Sequence, residues 1–278
     1  MVALLGDRSV GVDEVSPMKG LRPSRIVDLS KEIAENPQDP FFMRVKVKHH
    51  PHGRARWLVR LLGLPFRLFP LDFDGWADDT ITRMGVHATT HIDAPWHYGP
   101  TDAEGGRLPT IEQMPLELGF GPGVVFDMSH KGDGEEIAIA DLEASLAASG
   151  ASIGPGTIAL IRTGRDRFQG QRDYWKLGTG MSVAATEWLI DHGVKVMGID
   201  QWGWDVPFHH QIRRSREQGN SRLFWAGHLV GRRKPFWHME QLRGLDLLPT
   251  HGFDLAVFPL RLKGASAAPA RVVAFLYD

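Results

Sequence analysis

The segment GVHATTHIDAPWH, residues 85–97, carries three histidines and an aspartate, His87, His91, Asp93 and His97, at offsets 0, 4, 6 and 10. Imidazole nitrogens and carboxylate oxygens bind first-row divalent cations at about 2.0–2.2 Å, so such ligand atoms must lie close together. A continuous strand cannot gather them, because at about 3.3 Å per residue positions four apart are separated by about 13 Å. One helical turn puts His87 and His91 on one face, but it points Asp93 away, and Pro95 opposes a helix through the segment. The spacing therefore predicts a strand end followed by a tight loop that wraps His87, His91 and Asp93 about one point. Small residues (Ala88, Thr89, Thr90) suit the wrap, with Trp96 and His97 at its rim. A lone loop histidine is usually just hydrogen-bonded to backbone; four ligand-type residues within eleven favour a metal.

Metal centres usually draw a further ligand from elsewhere in the chain. The candidates are His130, His192, His209, His210, His228, His238, Glu240 and His251. His192 falls in a helix C-terminal turn, where an imidazole suits the helix dipole, and reads as structural. His209 and His210 sit in a basic stretch, HHQIRRSR, read as a loop that is solvated or touches substrate. His228 and Glu240 bracket a Gly-rich, basic turn and can return to one place.

The elements that must position these residues are a mixture of strands and helices. Residues 25–29 read as a first strand, with Ser30 as the N-cap of a short helix from Lys31. Arg44, Lys46 and Lys48 alternate at strand period, and residues 54–64 form a basic amphipathic turn or helix. For 44–69 a solvated edge strand with an interaction arm is favoured over a lid or an anionic-surface contact. Further on, 123–128, 157–162 and 194–199 read as strands, 140–148 as a helix, and 182–192 as a helix with Ser182 at the N-cap and Gly193 at C′. Residues 253–262 and 271–277 form a closing hairpin across a turn at 264–269. Without strict βαβ regularity the pattern points to α/β with mixed-sheet α+β character rather than a TIM barrel. One domain is expected over 25–278, preceded by a flexible arm at 1–24.

Composition removes several classes of function. The 278 residues include no cysteine, which excludes disulfides, thiolate nucleophiles, Cys-ligated zinc and iron–sulfur clusters. There are 32 Lys+Arg against 33 Asp+Glu, a formal charge of −1, so the global positive field of a nucleic-acid binder is missing. Apolar residues make up 42%, enough for a sizeable core at this length. No apolar run approaches the ~18–20 residues of a membrane span, and the first residues lack the basic region of a signal peptide. The expectation is a soluble cytoplasmic protein with no nucleic-acid or membrane partner.

His87-x-x-Thr90-His91-x-Asp93-x-Pro95-x-His97 resembles the HxGTHxDxPxH signature of the cyclase family of metal-dependent hydrolases, which includes bacterial kynurenine formamidases, isatin hydrolases and some lactone hydrolases. Weaker blocks follow in the family's order: IVDLS at 26–30, ALIRTG at 159–164, GID at 198–200, EQL at 240–242 and FPL at 258–260. The resemblance implies that His87, His91 and Asp93 hold a first metal, and that Asp93 bridges to a second held by His228 and Glu240. It implies His97 as general acid/base, Mn2+ or Zn2+ as the metal, a swivelling β/β/α fold, and a homodimer or homotetramer. Thr89 departs from the family pattern: it stands where Gly is usual, and a β-branched residue resists positive φ.

With no Cys and no Gly-x-Ser-x-Gly elbow, activated water is the natural nucleophile. His97 has a side chain suited to taking a proton from water and giving it to a leaving group; the alternative is a third histidine ligand of the first metal. Trp76, Trp96 and Trp202 are the candidate substrate-stacking residues among a wider aromatic set with Trp204, Phe208, Trp225, Phe236 and Trp237. Arg83, Arg213 and Arg214 are weaker candidates for binding a substrate carboxylate. The expected activity is hydrolysis of an amide, lactam or lactone in a small, flat molecule. A 2-His-1-carboxylate iron oxygenase built on His91, Asp93 and His228 is the rival; it leaves His87 and His97 unexplained. A non-enzymatic metal-stabilised scaffold presenting 44–67 is the third reading.

Overall fold

The computed structural model describes residues 22–277, so the arm expected over 1–24 lies almost wholly outside the described residues. The elements in chain order begin with β1 (Arg25–Asp28), β2 (Lys46–Lys48), α1 (Gly53–Leu61), β3 (Thr80–Arg83), β4 (His91–Asp93) and α2 (Pro95–Tyr98). The middle of the chain forms β5 (Phe120–Asp127), β6 (Glu136–Ile137), α3 (Ile139–Ser149), β7 (Ile158–Arg162), β8 (Gly180–Met181) and α4 (Val183–Asp191). There follow β9 (Val196–Ile199), α5 (Phe208–Glu217), α6 (Ala226–Leu229), β10 (Trp237–Glu240), β11 (Phe253–Pro259) and β12 (Ala267–Leu276).

The main sheet has the order β1-β12-β11-β5-β7-β9-β10-β4, and β4 also pairs with β12. That second pairing curls the sheet into a barrel-like ring with β1 laid along its edge. β5, β7, β9 and β10 run parallel to one another, while β4, β11 and β12 join through antiparallel pairs. The mixed α+β reading is therefore the observed fold class. Alternation at strand period divides the core in two. Val125, Ile158, Leu160 and Val196 face one buried cluster with Ile92, Met239, Leu255 and Val272. Val124, Phe126, Ala159, Ile161, Met197 and Ile199 face a second, with Leu142 of α3 and Ala185 and Leu189 of α4. Strands covered on both faces read as continuous apolar runs, which is why 157–162 and 194–199 were legible.

Local chemistry sets the helix ends. Ser182 Oγ accepts the Ala185 N–H at 3.1 Å, the N-cap expected of it, and Gly193 adopts φ +91°, which an L side chain resists.

Four expectations are corrected. No helix starts at Lys31: the Lys31 N–H donates to Thr90 Oγ1 at 2.8 Å, and Ser30 Oγ accepts the Val272 N–H at 2.7 Å. Both ties hold the segment extended, and Pro37 and Pro40 oppose helix beyond it. The site segment runs loop then strand, not strand then loop, since β4 follows the turn at 87–90. Pro95 starts a helical turn rather than blocking one, because at N1 its missing N–H costs nothing. His209 and His210 lie in α5 rather than a loop. Within 44–69 the structure forms β2, which pairs antiparallel with β3 further along the chain, and α1.

Candidate metal centre

β4 and β10 pair antiparallel with His238 opposite Asp93 and Glu240 opposite His91. Ile92 and Met239 point into the barrel cluster, so alternation turns His91, Asp93, His238 and Glu240 together to the other face. All four are buried there, between 0% and 6% exposed.

The loop before β4 brings His87 back to the same patch, with Nδ1 2.8 Å from Asp93 Oδ1. Gln241 fixes that loop: its Nε2 donates to His87 O at 2.9 Å and Thr89 O at 3.3 Å, and its own carbonyl accepts Thr90 Oγ1–H at 2.6 Å. Gln241 does so at φ +57°, a left-handed conformation uncommon outside glycine. Thr89 needs no positive φ, since among the described residues only Trp225 and Gln241 adopt it without being glycine. One turn of α2 places His97 four residues after Asp93, with Nε2 3.8 Å from Asp93 Oδ2. His228 arrives on α6. Asp205 accepts the Gly227 N–H at 2.6 Å and meets His228 Nδ1 at 2.5 Å, which leaves His228 Nε2 3.5 Å from Glu240 Oε1.

Two overlapping groups result. Asp93, His228, His238 and Glu240 each offer a donor atom, all within 4.8 Å of one another, and so do His87, Asp93 and His97. His91 Nε2 and both Asp93 carboxylate oxygens are buried without a hydrogen-bond partner. His91 Nε2 nevertheless stands 3.3 Å from Asp93 Oδ1, and its Nδ1 is engaged by Thr89 O at 2.7 Å. Buried polar atoms without hydrogen-bond partners are expensive in water-free surroundings, and a divalent cation would satisfy them. The donor set, imidazole plus carboxylate, suits Zn2+ or Mn2+ chemically.

Charge in the cluster is strongly redistributed. Burial holds the His97 imidazole down at about 3, helped by the neighbouring His87 and His228 and opposed by Asp93, so it is neutral near pH 7. Burial alone would also depress His228, but hydrogen bonds to Asp205 and Glu240 outweigh it and raise the ring to about 10. Against the opposing effect of burial, the surrounding imidazoles hold both the Asp93 and the Glu240 carboxyls far below their ordinary range. Tyr98, buried beside the two carboxylates, is pushed well above the ordinary phenol value.

A cavity of about 240 Å³ opens onto the centre, with His87, His97, His228 and Glu240 at its base and Trp202, Phe208 and Trp225 in its walls. Of the sequence-predicted residues, the structure brings together His87, His91, Asp93, His97, His228 and Glu240, and puts Trp202 in the wall. Trp76 and Trp96 do not line the cavity. Trp76 ends an aromatic ladder with Phe73, Phe69, Phe66 and Trp57, and Trp96 is rotated about 100° from His97 on the α2 turn. Trp204, Phe236 and Trp237 are core. Arg83 and Arg214 are bound to Phe41 O and Glu136, and Arg213 Nη2 lies 3.3 Å from His210 Nδ1; none lines this cavity. His238 stands among the candidate ligands in the sequence but not in the assigned set, although His238-x-Glu240 at strand period places both on one face. Asp205, Tyr98 and Gln241 carried no comparable signal.

The family model described as "Putative cyclase" matches residues 26–206, a span that holds His87, His91, Asp93 and His97 but ends before His228 and Glu240. A kynurenine formamidase of Paracidovorax citrulli is 30% identical over 191 residues, 68% of this chain and 76% of that protein. The isatin hydrolase of Roseibium aggregatum is 25% identical over 203 residues, 69% of this chain and 73% of that protein. Among solved structures, an isatin hydrolase bound to the product analogue thioisatinate superposes with a TM-score of 0.67 at 20% identity, covering 91% of this chain and 93% of that one. At that identity the likeness shows the shared fold.

Proposed function

The chain belongs to the cyclase family, and from that premise we propose that it is a metal-dependent hydrolase cleaving an amide, lactam or lactone bond of a small, flat, aromatic substrate. The observation that carries this reading is the buried, partnerless trio of His91 Nε2, Asp93 Oδ1 and Asp93 Oδ2 at the foot of an aromatic-walled cavity.

His87, His91 and Asp93 would hold one divalent cation, Zn2+ or Mn2+, and Asp93, His228 and Glu240 a second. A cation in that position acidifies water towards neutrality and polarises the carbonyl under attack. His97 is the general base: its neutral ring lines the cavity beside Asp93, takes the proton from the attacking water, and returns it to the departing nitrogen or oxygen. Asp205 keeps the His228 hydrogen on Nδ1, so Nε2 is the atom turned to the centre. Trp202, Phe208 and Trp225 stack on a planar substrate and exclude water from its far side. A facial-triad oxygenase would use only part of this convergence, and the curated relatives named above are hydrolases.

The same reading includes a homo-oligomer. Trp57, Leu61, Leu62 and Leu71 are 65%, 81%, 79% and 108% exposed on and just after α1. Exposed large apolar side chains of that kind fit burial against a second copy of the chain. Light scattering checks the mass. The decisive experiment is elemental analysis of protein purified without chelator, paired with hydrolysis assays on N-formylkynurenine, isatin and dienelactones. Metal-free protein with no turnover of any of them would falsify the proposal.

A further inference from the structure

Three buried histidines face one pair of carboxylates, and what stands behind each ring differs. Behind His91 is the Thr89 carbonyl, 2.7 Å from Nδ1; behind His228 is the Asp205 carboxylate, 2.5 Å from Nδ1. Both are acceptors, so each Nδ1 carries a hydrogen and each Nε2 is the nitrogen left to face the centre. Behind His238 stands the Tyr98 phenol, with Oη 2.8 Å from Nδ1. Tyr98 is 1% exposed, and a buried O–H that fails to donate is costly. The phenol therefore donates and Nδ1 accepts. A neutral imidazole that accepts at Nδ1 carries its hydrogen on Nε2, and His238 Nε2 lies 2.9 Å from Glu240 Oε1 and 3.2 Å from Asp93 Oδ2.

We propose that His238 is not a metal ligand, although its Nε2 stands among the ligand atoms. It is a positioning residue, locked by Tyr98 into the tautomer whose Nε2–H donates to Glu240 and holds that carboxylate beside Asp93. The ring has little freedom to do otherwise, because it is stacked against both Phe236 and Tyr98, with its plane 27° and 9° from theirs. With Oε1 engaged by His238, Glu240 keeps Oε2 for the Gly203 N–H at 3.1 Å and for the side facing His91. The consequence for metal binding rests on the function proposed above; the tautomer is a property of the protein alone.

The test is nitrogen-15 NMR of the histidine side chains, with and without Zn2+, on the wild type and on Tyr98→Phe. The expected result is a His238 hydrogen on Nε2 in the metal-free protein that survives zinc addition, and a mixed tautomer in Tyr98→Phe. Zinc titrations of His238→Gln and His238→Leu complete it. Glutamine retains an N–H donor and should stay within a few-fold of wild type, whereas leucine should lose about tenfold to a hundredfold in affinity. A hydrogen on Nδ1 of the wild type, zinc displacing the Nε2 hydrogen, or equal losses in the two variants would each overturn the proposal. If the wild type binds no zinc, the metal-centre reading fails, and the metal-free tautomer still decides the role of His238.

Discussion

Asp205 serves two neighbouring residues at once: Oδ1 accepts the Gly227 N–H at the start of α6, and Oδ2 accepts the His228 backbone N–H at 3.2 Å and meets its ring at 2.5 Å. One carboxylate thereby fixes both where the α6 turn begins and which imidazole nitrogen faces the centre. Asp205→Asn should lower divalent-metal affinity about tenfold to a hundredfold while leaving the fold intact. Calorimetric titration with Zn2+ and far-UV circular dichroism check the two halves of that statement.

The same pair gives metal binding a pH dependence. His228 is raised to about 10 in the metal-free protein, so it is protonated at neutrality and a cation must displace that proton. Affinity should climb with pH, and binding should release protons, which calorimetry in buffers of different ionisation enthalpy measures. For stability the sign is opposite. A folded value above the unfolded one (about 6.5 for histidine) stabilises the metal-free protein fully below pH 6.5, and the contribution is lost as pH rises through about 10. Thermal melts of chelated protein across that window test it.

His97 and Asp93 should separate chemistry from metal retention. Asp93→Ala removes the carboxylate common to both ligand groups, so bound metal and turnover should be lost together. His97→Ala should keep the metal and lose about 10²–10⁴ in kcat. Metal content measured alongside kcat distinguishes them, and loss of metal from His97→Ala would make it a ligand instead.

Gln241 shows how far the centre depends on its support. Gln241→Met keeps the bulk and removes the amide that holds the His87 and Thr89 carbonyls. The buried carbonyls left behind should cost about 1–3 kcal/mol, seen as a lower melting temperature of metal-free protein, with weaker metal binding beside it.

The centre was legible where its parts are close in sequence. His87, His91, Asp93 and His97 fall within eleven residues, so spacing alone restricts how they meet. His228 and Glu240 stand among several candidates and only resemblance singles them out as ligands, because a returning ligand leaves no local periodicity. His238 stays an undistinguished candidate for a different reason: its place depends on β10 pairing with β4 in one register, and a shift of one residue would turn it into the barrel core. The fold followed the same division. Strands apolar on both faces were plain, and Ser182 marked its helix. The extended path after Ser30 and the α2 turn were not plain, since the first is dictated by bonds to Thr90 and Val272 and the second by Pro95 sitting at a helix start rather than inside one.

β4 pairs on one edge with β10 and on the other with Ala267–Pro269 of β12, so the ligand strand is also the seam of the ring. A growing polypeptide therefore holds His87 through His97 long before it owns the strands that flank them. On the proposed function, a cation held by side chains of β4 and β10 would act as a clasp across that seam. Its contribution scales with supply, about 2.7 kcal/mol when free metal stands at a hundred times the dissociation constant. Scarcity of metal would thus be felt first as a slackened seam, with the catalyst failing and the barrel loosening at one and the same place.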